Sequence, residues 1–221
     1  MTPPPVCALC GTPATSRFQM PRAEGAPDLD LRPGEPARST LPHWIRVCGG
    51  CGAAAPDLTA LPGDAATIVA STVYTACPGA AETRPFRRWA LLSPLNAPSA
   101  LLHAAWAADD AGLTGEAAAL RREAATLWAG VTDPERACLR LDALRRAGDF
   151  HDAARWLDTI SPWANDEGTA AILAFQRARI AARDSGRYLL SAALRPPAHA
   201  PHVSHGKRAR GGGLLSRWFG W

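Results

Sequence analysis

Four cysteines stand in two short pairs, Cys7-Ala-Leu-Cys10-Gly11 and Cys48-Gly-Gly-Cys51-Gly52. Two intervening residues let both thiolates of a pair turn onto one ion, with backbone N–H groups of the turn pointing at the sulfurs. A glycine after the second cysteine allows the positive φ that such a turn needs. Two such knuckles supply four soft ligands in a tetrahedron, which suits Zn²⁺ best. The predicted metal ligands are therefore Cys7, Cys10, Cys48 and Cys51, holding one structural Zn²⁺. An iron site, a redox dithiol and two unrelated thiol pairs are the competing readings. A thioredoxin-like dithiol needs a βαβ setting, which the Pro- and Gly-rich flanks do not offer. Four thiolates would saturate the ion, whereas a catalytic zinc keeps a position open for water. His43, five residues before Cys48, is the one nearby residue that could replace a ligand.

The pairs are separated by 37 residues, against roughly 15–20 in an ordinary zinc ribbon. An insertion is implied. Within it, Asp28, Asp30, Arg32 and Arg38 form a dense polar group, and Trp44, Ile45 and Val47 read as the strand entering the second knuckle. The polar group is either a recognition loop beside the zinc or a solvated loop held by its own salt bridges. A head of this size and proline content needs metal binding to supply the free energy its small core lacks.

The elements that would carry this head begin at about Pro98, where the chain turns to Ala/Leu/Arg-rich amphipathic segments. Helices are predicted over Ser99–Ala111, Glu116–Ala129, Glu135–Ala147, Asp152–Ile160, Thr169–Ser185 and Arg187–Leu194. Asp133-Pro134 supplies a cap and a first-turn proline. The breaks recur at Gly112, Gly148 and Gly186, 36 and 38 residues apart, where glycine can end a helix in the left-handed conformation. That spacing is close to the 34-residue period of tetratricopeptide helix pairs. Trp89, Trp106, Trp128, Trp156 and Trp163 are expected to serve the core, His103 and His151 to pack or lie on the surface, and Cys77 and Cys138 to be inert thiols.

Four features in order carry a family resemblance. They are the two cysteine pairs, Asp-Leu-Asp-Leu-Arg-Pro at 28–33, the Ala-Arg-Ser-Thr-Leu-Pro-His-Trp approach to Cys48, and Ala-Ala-Trp-Ala-Ala-Asp-Asp-Ala-Gly at 104–112. Over roughly residues 5 to 190 the chain resembles a bacterial family catalogued as domain of unknown function 2225. The resemblance implies a zinc-ribbon-like head on tetratricopeptide-like helices, with Cys7, Cys10, Cys48 and Cys51 on the metal. It implies no reaction. Gly49-Gly50 and Ala53-Ala54 depart from the family pattern, which has Pro with His or Asn at the first pair and Tyr at the second.

The balance of charge narrows the partners. Residues 1–60 and 61–198 are each neutral by count, and the net charge of +4 lies wholly in the tail, on Lys207, Arg208, Arg210 and Arg217. The body is thus not a basic nucleic-acid surface. At 47% apolar residues, the chain is not a disordered one. No apolar run of membrane-spanning length and no signal peptide are read, so a cytoplasmic protein is expected. The tail ends in Leu-Leu-Ser-Arg-Trp-Phe-Gly-Trp, so 206–221 could touch an anionic membrane face.

The expected architecture is mainly α: tetratricopeptide-like antiparallel helical hairpins preceded by a small zinc-ribbon-like β head. The expected division is a Cys₄ head at 1–60, a helical domain at 61–194 and a flexible basic tail at 195–221. No Ser/His/Asp order, phosphate loop or carboxylate pair in a cleft is present, so no catalytic residue is assigned. The expected function is a non-enzymatic zinc-binding adaptor that engages a protein partner through its hairpins. The alternative is a zinc-ribbon nucleic-acid binder of transcription or RNA machinery, and a weaker one is an enzyme using Asp28, Asp30 and Arg32 beside the zinc.

Overall fold

A computed structural model describes residues 4–15 and 17–194. The tail at 195–221, with its expected membrane contact, lies outside the described residues. Among the described residues the chain is mainly helical, with one two-stranded antiparallel sheet in which β1 (Arg46–Val47) pairs with β2 (Ala54–Ala55). The register is Arg46 opposite Ala55 and Val47 opposite Ala54. The strand predicted from Trp44 is shorter than expected. A 3₁₀ turn over Arg38–His43 runs up to Trp44, which packs edge-on to His103 instead of joining the sheet.

The helices are α1 (Ala65–Ala70), α2 (Thr72–Thr75), α3 (Arg84–Leu92), α4 (Ala97–Asp110), α5 (Thr114–Leu127), α6 (Pro134–Arg146), α7 (Phe150–Ile160), α8 (Glu167–Ala181) and α9 (Leu190–Leu194). From α4 to α9 they fall where the periodicity places them. The first three were not anticipated; α1 and α2 are short and carry Thr, Val, Ile and Tyr, which are weak helix formers. Starts are capped where the sequence offers a short oxygen. The Asp133 carboxylate accepts the Arg136 N–H at 2.9 Å, with Pro134 in the first turn, and Asp166 accepts the Thr169 N–H at 2.9 Å.

Three helices end alike. The residue after the C-cap takes positive φ at Gly112 (72°), Gly148 (81°) and Arg183 (51°). The next amide then reaches back inside the helix: Leu113 N–H to Ala108 O at 2.8 Å, Asp149 to Leu144 at 3.0 Å, and Asp184 to Arg179 at 2.9 Å. The third break is therefore at Arg183 and not at Gly186. A non-glycine residue there costs roughly 1–2 kcal/mol, and the Arg183 guanidinium lies 5.2 Å over the Phe150 ring.

Each helix from α3 to α8 packs on its successor, and α6 also touches α8. Small residues make the closest of these contacts possible. Ala104, Ala105 and Ala108 of α4 and Ala124 of α5 are fully buried. One apolar cluster joins α3, α4 and α5 around Leu102, Trp106, Leu120 and Trp128. A second joins α6, α7 and α8 around Leu141, Leu157, Leu173 and Ile180. A third surrounds the cysteine pairs and takes in Leu58, Val69, Tyr74 and Leu92. The first and third clusters both contain residues from either side of position 60, since Leu41, Ile45 and Ala54 pack with the helices.

Candidate metal centre

The two knuckles are built alike. In the first, the Cys7 N–H donates to Thr12 O at 2.8 Å and the Gly11 N–H to Cys7 O at 2.9 Å. In the second, the Cys48 N–H donates to Ala53 O at 2.8 Å and the Gly52 N–H to Cys48 O at 2.9 Å. Gly11 and Gly52 take φ of 71° and 75°, so the glycine that follows each pair has the conformational role expected of it. The ligand atoms of Cys7, Cys10, Cys48 and Cys51 all lie within 4.8 Å of one another. Cys7 Sγ is 3.8 Å from Cys51 Sγ, and Cys10 Sγ is 3.5 Å from Cys48 Sγ. A tetrahedral four-sulfur site with metal–sulfur bonds of about 2.3 Å has edges of about 3.8 Å. The four thiols thus fit one metal ion. His43 is exposed, packs near Phe18 at 5.6 Å between centroids, and is not in the cluster.

The surroundings treat the thiols unequally. The Thr12 hydroxyl, 3.2 Å from Cys10 Sγ, is the main reason that thiol is lowered to about 6. Backbone N–H groups, that of Cys51 foremost, lower Cys48. Burial pushes Cys51 up to about 12. Gly50 matters for a different reason from Gly11 and Gly52. A Cβ there would stand 2.2 Å from Thr12 Oγ1 and 3.3 Å from Cys10 Sγ, so a side chain at this position requires the Thr12 side chain to move.

Tyr74 of α2 anchors the second knuckle from outside the head. Its hydroxyl accepts the Ala54 N–H at 2.8 Å and donates to Gly52 O at 3.2 Å. The ring is buried beneath the Arg88 guanidinium, 5.3 Å from its centroid, and burial raises the phenol to about 12. Sequence reasoning missed this residue, because nothing local to Tyr74 announces a partner 22 positions earlier.

The polar group of the insertion is neither solvated nor against the metal cluster. Asp28, Asp30 and Arg32 are each at most 2% exposed. They sit in a tight turn with Leu31 at φ 64°, closed by the Asp28 N–H to Arg32 O at 2.9 Å. The turn pairs with the strand-like stretch after α8: Leu29 N–H to Tyr188 O at 2.9 Å, and Leu190 N–H to Pro27 O at 2.8 Å. Asp30 accepts the Trp106 indole N–H at 2.8 Å and an Arg146 N–H at 2.6 Å. Asp109 accepts from Arg121 at 2.5 Å and from Arg146 at 2.7 Å. Arg32 pairs with Asp110, and Arg38 with Asp28. Of the internal salt bridges expected, Arg38–Asp28 is present; the ion pairs of Asp30 and Arg32 bind the insertion to α4, α5 and α6.

Burial works against both of the central carboxylates and is outweighed. Arg146 and Arg121 hold Asp30 below its usual range, and the same two arginines hold Asp109 below its own. Asp28 goes the other way. Its desolvation, aided by the nearby Asp30, raises it despite Arg38.

A second buried network was not legible in the sequence. Arg145 is fully buried and donates from Nε to Gln176 Oε1 at 2.7 Å, from Nη2 to Asp142 Oδ1 at 2.7 Å, and from Nη1 to the carbonyls of Asp184 and Gly186 at 2.7 and 2.8 Å. Asp142 and Arg145 are three apart on a helix, a spacing that more often marks a surface pair. Among the lone residues, Cys77 is buried, Cys138 is half-buried and pushed up to about 12 by desolvation, and His151 is exposed.

No family model, curated protein or solved structure matches this chain. No helix among the described residues is long and apolar enough to cross a membrane.

Proposed function

We propose that the chain is a zinc-binding adaptor: a structural Zn²⁺ held by Cys7, Cys10, Cys48 and Cys51, and tetratricopeptide-like hairpins that engage a protein partner. The observation that carries the second half is the recurrence of one helix ending at Gly112, Gly148 and Arg183, with α6 touching both α7 and α8. Helical repeats stack each unit on its neighbours and so build an extended surface for partners. The zinc half rests on donor chemistry: four soft thiolates in a closed tetrahedron. The order of motifs along the chain supports placing it with the bacterial family of domain of unknown function 2225. The role carries no reaction.

The test is purification of the full chain from its host with metal analysis, followed by co-purification with and without nuclease. One equivalent of zinc and protein partners that survive nuclease are expected. Iron in place of zinc overturns the metal assignment. Partners that vanish with nuclease overturn the adaptor in favour of a nucleic-acid binder.

A further inference from the structure

Between α5, α6 and α7 lies a groove of about 500 Å³. Ala125, Leu144 and Trp156 supply its apolar lining, and Arg122, Arg140 and Arg155 stand along it. Two of the three arginines are already neutralised. Arg122 Nε donates to both oxygens of Asp149 at 3.0 and 2.9 Å, and Arg155 Nη2 to Asp152 at 2.8 Å.

Arg140 differs. Its guanidinium lies 4.0 Å from the Trp156 ring centroid, and its Nε donates to Ala125 O at 3.0 Å. No carboxylate among the described residues pairs with it, and neither terminal nitrogen has a hydrogen-bond partner there. Desolvation holds this guanidinium below its ordinary pKa, although the Asp152 charge pulls the other way. With the ring on one face and Nε satisfied, one donor edge remains, formed by Nη1 and Nη2. That edge matches both oxygens of a single carboxylate.

We propose that this groove binds an extended peptide segment of the protein partner, with one Asp or Glu carboxylate on the Nη edge of Arg140 and an apolar neighbour against Ala125, Leu144 and Trp156. This rests on the protein-binding reading above and names the face and the chemistry. Two observations favour a singly charged peptide over a polyanion. Asp149 and Asp152 line the same groove and repel a second negative charge. The groove is also far roomier than an inorganic oxyanion needs, and such an ion has no use for the apolar lining. The face where Asp30 and Arg32 lie on Trp106 and Arg146 is already filled by the chain itself, whereas this one is open.

The test uses the ¹⁵N-labelled full chain and an acetylated, amidated pentapeptide with a central Glu flanked by Leu, against its Gln counterpart. The readout is the indole N–H resonance of Trp156, which donates to Ala137 O at 3.0 Å beside the groove. A saturable shift with a dissociation constant below about 1 mM is expected for the Glu peptide, with binding at least tenfold weaker for the Gln peptide. Arg140→Gln should abolish the shift. Arg140→Lys keeps the charge but loses the two-pronged contact, and should weaken binding about tenfold. No saturable shift with the Glu peptide, equal binding of both peptides, or undiminished binding to the Arg140 variants overturns the proposal. Inorganic phosphate binding as tightly as the Glu peptide overturns the peptide assignment. Partners that co-purify equally with wild type and Arg140→Gln overturn the groove while leaving the adaptor standing. Specific peptide binding with no partner recovered from the host overturns the adaptor alone.

Discussion

The insertion between the cysteine pairs is held at two places, and the two differ in kind. At its ends, Cys10 and Cys48 belong to a cluster of four thiols whose members lie in two short, self-similar turns. At its middle, Asp30 and Arg32 are held by Trp106, Asp110, Arg121 and Arg146, from three different helices. The knuckles carry their geometry in adjacent residues. The buried turn borrows its geometry from the rest of the chain. Beyond the Tyr74 anchor, the hydrogen bonds that close the knuckles are local, whereas the ionic centre is assembled across three helices.

The sharpest way to break this contrast is at the metal. Cys48→Ser should lose the ion and lower the melting temperature by more than about 10 °C, because structural zinc contributes a large share of folding free energy in small sites. Metal content and thermal unfolding report it together. A variant that keeps one equivalent of metal would show that three thiolates suffice.

Next comes Asp30→Ala, which leaves Arg146 and Arg121 desolvated with only Asp109 between them. It should cost about 3–5 kcal/mol in urea unfolding while the metal content stays at one equivalent. Loss of the metal in this variant would mean that the two anchoring points act as one.

A smaller effect is set by His103, half-buried among Trp44, Phe86 and Trp106 and lowered by desolvation from 6.5 to about 4. Between those values the unfolded chain takes up a proton that the folded chain refuses. Its contribution is present above pH 6.5 and falls as the pH drops toward 4, by about 3 kcal/mol in all. His103→Gln should flatten that part of the pH–stability curve relative to wild type. Parallel curves would place the imidazole in water.

Least of all, Arg155→Ala should change stability by under about 0.5 kcal/mol, since Arg155 and Asp152 are 72% and 52% exposed in their side chains. A cost above 1 kcal/mol in thermal unfolding would show that the groove itself holds the helices together.

The same contrast explains what could be read from the residues alone. The knuckles, the cap at Asp133 and the breaks at Gly112 and Gly148 are local, and each was legible. Gly186 misled because glycine is the usual left-handed residue, and Arg183 took that role three positions earlier. Asp28, Asp30 and Arg32 were visible as a polar cluster, but their burial depends on Arg146, 116 positions beyond Asp30. Tyr74 and Gln176 likewise gain their roles only through distant partners. Charge pairing can be counted in a sequence, whereas desolvation cannot, because it is a property of whatever else arrives at the same place.

That 116-residue interval between Asp30 and Arg146 also has a meaning in time. Synthesis runs from the N-terminus, so both knuckles are complete well before α6 exists. At about 5–20 residues per second, Asp30 waits on the order of 10 s for its arginine. During that interval the four thiols that could hold a metal ion are already synthesised, while the acidic turn still lacks its arginine. Docking of the turn onto α4, α5 and α6 therefore has to follow the synthesis of α6, and it withdraws Asp28 and Asp30 from solvent.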